Sequence, residues 1–139
     1  MHDPTVVQLG TTQSTFKQVD NIPGDPATLK AGMVVFQKSD GTFTLTLADG
    51  SPAGISLGKS LSATKRTPIV RRGLKVPVLL QSGFTTPTIG GAVSIHATSG
   101  KADSSGTAVN AIYASGKLTG IDEDGNEVDV ALIDLPGGL

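Results

Sequence analysis

The stretch GISLGKS, residues 54–60, places a Gly-Lys-Ser tripeptide after a Gly-containing segment, as nucleotide hydrolases do where they bind phosphates. A phosphate-binding loop has four residues between its first Gly and the Gly-Lys-Ser, whereas three separate Gly54 from Gly58. Such a loop also leads into a helix whose N-terminal amides hold the phosphate, whereas Pro68 soon follows this stretch. We therefore predict a turn at Gly58-Lys59 and no nucleotide site.

Five acidic side chains lie in IDEDGNEVD, residues 121–129, which faintly resembles a calcium-binding loop. The EF-hand requires Gly at its sixth position, Glu at its twelfth and a helix on each side. Here Gly125 is fourth from Asp122, and strand-like segments flank it. We predict a charged Asp-Gly hairpin tip, with adventitious calcium binding as the alternative.

The chain has two histidines, His2 and His96, and no cysteine. The absence of cysteine excludes disulfides, thiol catalysis and thiolate metal sites. No spacing of His, Asp and Ser indicates a catalytic triad, and no cluster of His indicates a zinc site. We therefore expect no enzymatic activity, no cofactor and no metal.

Eleven basic and twelve acidic residues leave a net charge of −1, which argues against a general nucleic-acid binder. The one basic concentration comprises Lys65, Arg66, Arg71, Arg72 and Lys75. It lacks the interleaved aromatic residues on which bases stack. Two interpretations remain: a solvated face, or an interface that forms salt bridges with an acidic partner.

The length of 139 residues suits one domain that can bury a core without disulfides or metal. The first ten residues lack the charged and apolar regions of a secretory signal. No apolar run approaches the 18 to 20 residues that would span a bilayer. We expect a soluble protein with no membrane partner.

Apolar and polar residues alternate with period two in four segments, the pattern of half-buried strands. Asp-Gly and Ser-Gly pairs, which favour tight turns, lie between them. The 18 Gly and 8 Pro further disfavour helices, so we predict an all-β fold. The positions expected to share an apolar face within each segment are Phe43, Leu45 and Leu47; Leu74, Val76, Val78 and Leu80; Val93, Ile95 and Ala97; and Val128, Val130 and Leu132.

The first 27 residues differ from the rest of the chain. Strand signals at 5–9 and 14–19 are weak and precede a Pro/Gly-rich link at 22–26. One interpretation makes them a first hairpin of the β domain, which then occupies residues 28–139. The other makes them an extended arm that lies on a neighbouring subunit and orders only on assembly.

A near-repeat divides the β domain into two similar halves, residues 31–80 and 90–135. Each half contains a strand, a Gly turn, a short strand, a Gly-Lys pair and a longer strand. The second Gly-Lys pair, at Ser115-Gly116-Lys117, supports the interpretation of the first as a turn. Two such units packed face to face would form a sandwich or a barrel.

The order of these motifs resembles the structural cement, or head decoration, proteins of tailed bacteriophages. The resemblance covers about residues 30–135 and depends on Gly and aliphatic spacing taken in order. The segments that carry it are A-G-x-V-V-F-x-x-x-D-G (31–41), A-G-I-S-L-G (53–58), R-R-G-L-K-V-P-V-L-L (71–80) and G-G-A-V-S-I-H-A-T-S-G-K-A (90–102).

The resemblance implies a small β-barrel or β-sandwich, jelly-roll or β-tulip-like, with an extended N-terminal arm. It implies a protein on the outer surface of the virion capsid, present in the host cytoplasm before assembly. There it would cement subunits of the major capsid protein and associate with itself, as a homotrimer in preference to a homodimer. The residues we expect at the capsid or subunit interface are Val6, Val7, Leu9 and Phe16 in the arm and Arg66, Arg71 and Arg72 in a basic loop.

Two other classes of protein stay open at this stage. A tail or baseplate β-domain of a virion shares this composition. A carbohydrate-binding β-module is also an all-β protein, but its sugar platforms use exposed aromatic residues. This chain has one Tyr, four Phe and no Trp, which disfavours that class.

Overall fold

The structure, a computed structural model, describes residues 6–8, 19–23, 29–57, 66–122 and 124–137. Within these ranges the chain forms strands and one 3₁₀ turn, Leu47–Asp49, so the prediction of an all-β fold is confirmed. Glycines with positive φ, such as Gly41 and Gly125, close tight turns that a residue with a Cβ rarely forms. None of the described residues belongs to a helix long and apolar enough to span a membrane.

Eleven strands lie in the described ranges, numbered here along the chain. They are β1 (Val6–Gln8), β2 (Val19–Pro23), β3 (Val34–Gln37), β4 (Phe43–Thr44), β5 (Ser51–Ser56), β6 (Arg66–Val70), β7 (Gly73–Leu79), β8 (Ala92–Ile95), β9 (Thr107–Tyr113), β10 (Leu118–Ile121) and β11 (Glu127–Leu135).

The strands form two sheets. The first has the order β2-β6-β5-β3-β4, and all its neighbours are antiparallel. The second has the order β1-β10-β11-β9-β8, with β7 on the opposite edge of β11. Strands from residues 19–70 therefore build the first sheet and strands from 73–135 build the second, apart from β1. Strand β7, which belongs to the first of the two similar halves predicted from the sequence, therefore lies in the sheet that the second half builds.

The main hydrophobic core is formed by residues of both sheets, as in a small β-sandwich or barrel-like fold. Burial of these side chains away from water is the principal driving force for this arrangement. Among its buried members are Val34, Phe36, Ile55 and Val70 of the first sheet and Val76, Val78, Val93, Ile95, Tyr113, Ala131, Ile133 and Leu135 of the second.

A second apolar cluster packs the other face of the first sheet against Leu79 and Val130 of the second, so β3 is buried on both faces. Its residues include Val35, Ile69 and the preceding segment at Leu29–Met33. The Ser56 hydroxyl, 1% exposed, fastens this segment to β5. It accepts a hydrogen bond from the Met33 amide (3.2 Å) and donates one to the Lys30 carbonyl.

Strand β11 is also apolar on both faces. The predicted apolar positions Val128, Val130 and Leu132 do share a face, but they pack with the second cluster. The face of β11 that packs in the main core is formed by Ala131, Ile133 and Leu135. The alternating pattern therefore predicted the strand correctly, but the face that it selected is less deeply buried than the opposite face.

The prediction that Leu74 shares the buried face of β7 is wrong. Val76 and Val78 are buried as expected, whereas Leu74 is 54% exposed. The register of β7 against β11 shifts next to this point, and Lys75 has a φ of 54°, in the left-handed region. The Lys75 amide donates to a carboxylate oxygen of Asp134 at 2.9 Å. This bulge turns Leu74 out of the core.

The predicted strand at residues 43–47 is shorter than expected. Only Phe43–Thr44 pair with β3, and the chain then enters the 3₁₀ turn. Phe43, Thr44 and Leu45 are all buried, so polar Thr44 does not face solvent as the alternation predicts. The Thr44 hydroxyl instead accepts a hydrogen bond from the Thr46 amide (3.1 Å), which satisfies the buried oxygen.

Candidate functional site

The GISLGKS stretch begins inside a buried strand and has no phosphate-loop geometry in its described part. Gly54 lies within β5, where a Cβ would come within 2.4 Å of the Val70 carbonyl oxygen. Glycine is therefore required here for the close approach of β5 to β6. Ser56 uses its hydroxyl for the structural hydrogen bonds described above. The predicted turn at Gly58-Lys59 lies outside the described residues.

The second Gly-Lys pair lies in the four-residue break between β9 and β10, where we predicted a turn. Strands β9 and β10 follow one another along the same edge of β11. Between them the Ser115 hydroxyl accepts a hydrogen bond from the Leu132 amide at 2.9 Å. This side-chain oxygen replaces the carbonyl that an unbroken ladder would supply. The Gly-Lys pair thus accommodates an irregularity in pairing.

The acidic segment forms the hairpin tip that the sequence predicts. Asp122 and Asn126 close the turn between β10 and β11, with Gly125 at a φ of 83°. One Asp122 carboxylate oxygen accepts hydrogen bonds from the amides of Asp124 (2.9 Å) and Asn126 (2.8 Å). These bonds, the one from Asn126 above all, hold the pKa of Asp122 below its usual value. Among the described residues no group of three or more His, Cys, Asp or Glu could hold a metal ion.

His96 follows β8 and stabilises a turn. Its Nδ1 accepts a hydrogen bond from the Thr98 amide at 3.2 Å, and the residue is half-buried. His2 lies outside the described residues. The one histidine that is described therefore has a local structural role.

The two N-terminal strands that the structure describes lie in different sheets. Most of the second strand predicted for a first hairpin, residues 14–19, lies outside the described residues, so the hairpin and the arm both stay predictions. Strand β2 is antiparallel to β6 in the first sheet, and β1 is parallel to β10 in the second. Val6 and Val7 of the predicted arm lie in β1, opposite Thr119 and Gly120. The β1 strand occupies the sheet edge through three residues.

The other two residues predicted in the arm, Leu9 and Phe16, lie outside the described residues.

The three arginines of the predicted basic loop do not share one loop. Arg66 is the first residue of β6, whereas Arg71 and Arg72 form the turn between β6 and β7. At about 3.3 Å per strand residue, Arg66 lies about 16 Å from Arg71.

A polar groove places one of these arginines beside a lysine that sequence reasoning did not select. The groove has a volume of about 550 Å³ and includes Arg71, Lys38 and Asp49 in its lining. Lys38 comes from the β3–β4 hairpin and Asp49 from the 3₁₀ turn, both next to the β6–β7 turn. The mixed charge of this surface suits salt bridges with a protein partner.

The outer face of the second sheet exposes an apolar residue between its strands. Ile112 of β9 is 47% exposed and lies between Ala92 of β8 and Asp134 of β11 in the strand register. Ile89, in the loop before β8, is 68% exposed. Alternation along β9 could have indicated that Ile112 is exposed, because side chains of successive strand residues lie on opposite faces and its neighbours Ala111 and Tyr113 lie in the core.

A cleft beside strand β8 has Tyr113, the one tyrosine of the chain, in its lining. The Phe84 ring packs against the Tyr113 ring edge to face, with centroids 6.2 Å apart and planes at 64°. Burial raises the pKa of Tyr113 to about 12, and the nearby Asp103 carboxylate adds to this effect. Nothing in the local sequence indicated this pair, because the two residues are 29 positions apart.

Comparisons with family models, with curated proteins and with solved structures found no match to this chain. The function must therefore be argued from the residues and surfaces described above.

Proposed function

We propose that this protein is a non-enzymatic structural component of a virion that binds the outside of the expanded bacteriophage head. In this role it cements neighbouring subunits of the major capsid protein. The ordered motifs of residues 31–102 support the proposal through their resemblance to head decoration proteins. The structural observation that carries it is the placement of β1 on the free edge of β10, in a different sheet from β2.

A terminal strand of this kind is suited to bind across subunits. Within the described residues, strand β1 pairs with β10 through the backbone of Val6–Gln8. The same backbone groups can add to a sheet edge on a neighbouring protein, as in other cases of strand addition. In this proposal β1 exchanges its place on β10 for an edge of the major capsid protein.

Surface charge and self-association supply the remaining contacts. Arg71 and Arg72 lie in the turn at the mixed-charge groove and would pair with acidic capsid residues. The exposed Ile112 and Ile89 would contribute to contacts between copies in a homotrimer. A trimer binds several capsid subunits at once, so individually weak contacts add through effective concentration.

Co-sedimentation with expanded, undecorated heads tests the proposal. We would compare the full chain with a variant that lacks residues 1–9, which removes β1 and leaves β2 in the first sheet. The expected result is saturable pelleting of the full chain at a fixed copy number and weaker pelleting of the truncated chain. Arg72→Glu should also weaken pelleting. Lys117→Glu, at an exposed lysine between β9 and β10 that pairs with Asp129 at 3.8 Å, is the matched control.

A folded full chain that does not pellet with the heads would overturn the cement function and favour a tail or baseplate component. Full binding by the truncated chain would retain the cement function and remove β1 from its mechanism. Circular dichroism of each variant establishes that a loss of binding is not a loss of folding.

A further inference from the structure

The bulge in β7 exposes a leucine that a regular strand would bury. Alternation along β7 would place Leu74 on the face of Val76 and Val78, which are buried, yet Leu74 is 54% exposed. Two residues of β7, Leu74 and Lys75, stand opposite one residue of β11, Asp134. A single exposed leucine is common on protein surfaces and requires no explanation, whereas a bulge that exposes it does.

This bulge is held in a conformation that costs free energy. Lys75 has a φ of 54°, in the left-handed region, where a residue with a Cβ is disfavoured. Its amide donates to Asp134 Oδ1 at 2.9 Å, so a side chain satisfies a backbone group that the interrupted ladder leaves over. Bulges and strained residues cluster at functional sites, where they redirect a side chain. The strain therefore points to a role for Leu74 outside the core.

Basic residues flank Leu74 along the chain. Arg71 and Arg72 precede it in the β6–β7 turn and Lys75 follows it; these three residues are called the basic rim below. Arg72, Leu74 and Lys75 are all exposed. Consecutive Cα atoms are about 3.8 Å apart, so these three residues lie within about 11 Å of one another. Asp134 adds one negative charge, and the three basic residues and one acidic residue leave a net charge of +2.

An apolar side chain with a basic rim fits an acidic protein surface better than a nucleic acid. Protein interfaces have an apolar centre and a polar rim, and arginine is enriched in them. Positive charges around Leu74 complement acidic residues on a partner and fix the orientation in which the two proteins meet. Phosphate groups would also pair with the basic rim, but they offer no apolar surface to the leucine.

We propose that Leu74 inserts into an apolar pocket on the major capsid protein and that acidic residues around this pocket pair with the basic rim. The bulge fixes the backbone of Leu74 before binding, so less conformational entropy is lost when the contact forms. This assignment rests on the proposed function, which names the partner. It adds an apolar contact to the charge pairs of Arg71 and Arg72.

Two substitutions of similar size test the apolar contact. Leu74→Gln keeps the length of the side chain and removes its apolar surface, whereas Leu74→Met keeps both. In co-sedimentation with expanded, undecorated heads, Leu74→Gln should raise the dissociation constant about five- to tenfold, and Leu74→Met should change it by less than about twofold. Because Leu74 is outside the core, both variants should unfold at the same urea concentration as the parent chain. Equal binding by Leu74→Gln and the parent chain would overturn the assignment.

Ionic strength separates the basic rim from the leucine. At about 50 mM salt Lys75→Glu should weaken pelleting about tenfold, and at about 300 mM salt its effect should be smaller, because exposed charges are screened. Lys117→Glu, at an exposed lysine outside the basic rim, should have no effect at either concentration. The loss in Leu74→Gln should be the same at both, because burial of apolar surface does not depend on charge. A Leu74→Gln loss that disappears at high salt would contradict the apolar contact.

The same samples distinguish failure of this assignment from failure of the proposed function. If the parent chain pellets and Leu74→Gln pellets equally well, the cement function stands and the role of Leu74 falls. If the parent chain does not pellet, both fall. A fluorescein-labelled DNA duplex of about 20 base pairs tests the nucleic-acid alternative, and we expect no saturable polarisation change up to about 10 μM protein at physiological salt. Saturable DNA binding that Lys75→Glu loses and Leu74→Gln keeps would assign the basic rim to nucleic acid and overturn the proposal.

Discussion

Ser56→Ala tests the attachment of the Leu29–Met33 segment to the first sheet. The side chain is 1% exposed, and its hydroxyl bonds both the Met33 amide and the Lys30 carbonyl. Met33 is itself buried at 6% exposure, so its amide would be left without water when the hydroxyl is removed. Lys30 is half-buried, so its carbonyl can recover part of its hydration.

The expected loss of stability follows from the environments of the Met33 amide and the Lys30 carbonyl. An unsatisfied buried amide costs about 1–3 kcal/mol, and a partly hydrated carbonyl costs about 0.5–1 kcal/mol. We expect Ser56→Ala to lower the free energy of unfolding by about 2–3 kcal/mol, a large part of the total stability of a domain this size. The corresponding fall in melting temperature is about 6–12 °C.

Urea unfolding followed by circular dichroism measures this loss, and Tyr113 fluorescence follows the main core in the same samples. Ser51→Ala is the matched control, because Ser51 lies in the same strand but is exposed. It should change the free energy of unfolding by less than about 0.5 kcal/mol. A loss below about 1 kcal/mol in Ser56→Ala, or equal losses in the two variants, would refute the assigned role of the hydroxyl.

The remaining predictions concern glycine contacts, backbone strain and pH. Gly54→Ala should destabilise the fold by about 2–3 kcal/mol because its Cβ would overlap the Val70 carbonyl, as chemical denaturation would show. Gly116→Ala, with no atom within 4 Å of its Cβ, should be neutral. Lys75→Asn should stabilise the protein by about 0.5–1 kcal/mol, because asparagine tolerates the left-handed conformation better than lysine. A spectrophotometric titration should find Tyr113 ionising at about pH 12.

Each of these predictions has an opposing outcome. Equal losses from Gly54→Ala and Gly116→Ala would mean that the β5–β6 approach does not require glycine. A less stable Lys75→Asn protein would show that the lysine side chain contributes more than its backbone strain costs. Because the folded pKa of Tyr113 lies above the unfolded value near 10, its contribution to stability is complete below pH 10 and is lost as pH rises towards 12. Ionisation near pH 10 in the folded protein would contradict the buried environment.

Local patterns were sufficient to predict part of the fold and part of the candidate site. Alternation identified β7, β8 and β11, because each has one face that is strictly apolar over several residues. The hairpin tip at Asp122 was also predictable, because Asp-Gly chemistry specifies a tight turn from neighbouring residues alone. The same alternation failed at Leu74, where a bulge interrupts the pleat.

The sequence by itself determined the class of the fold, because Gly, Pro and β-branched residues favour strands and turns wherever they lie. The tertiary structure alone decided which strands meet and which faces are buried. It placed β1 on β10, more than 100 residues along the chain, and set Phe84 against Tyr113. It also buried both faces of β3 and β11. Such pairings depend on the free energy of burying surfaces that are distant in sequence, and no pattern within one segment encodes its partner.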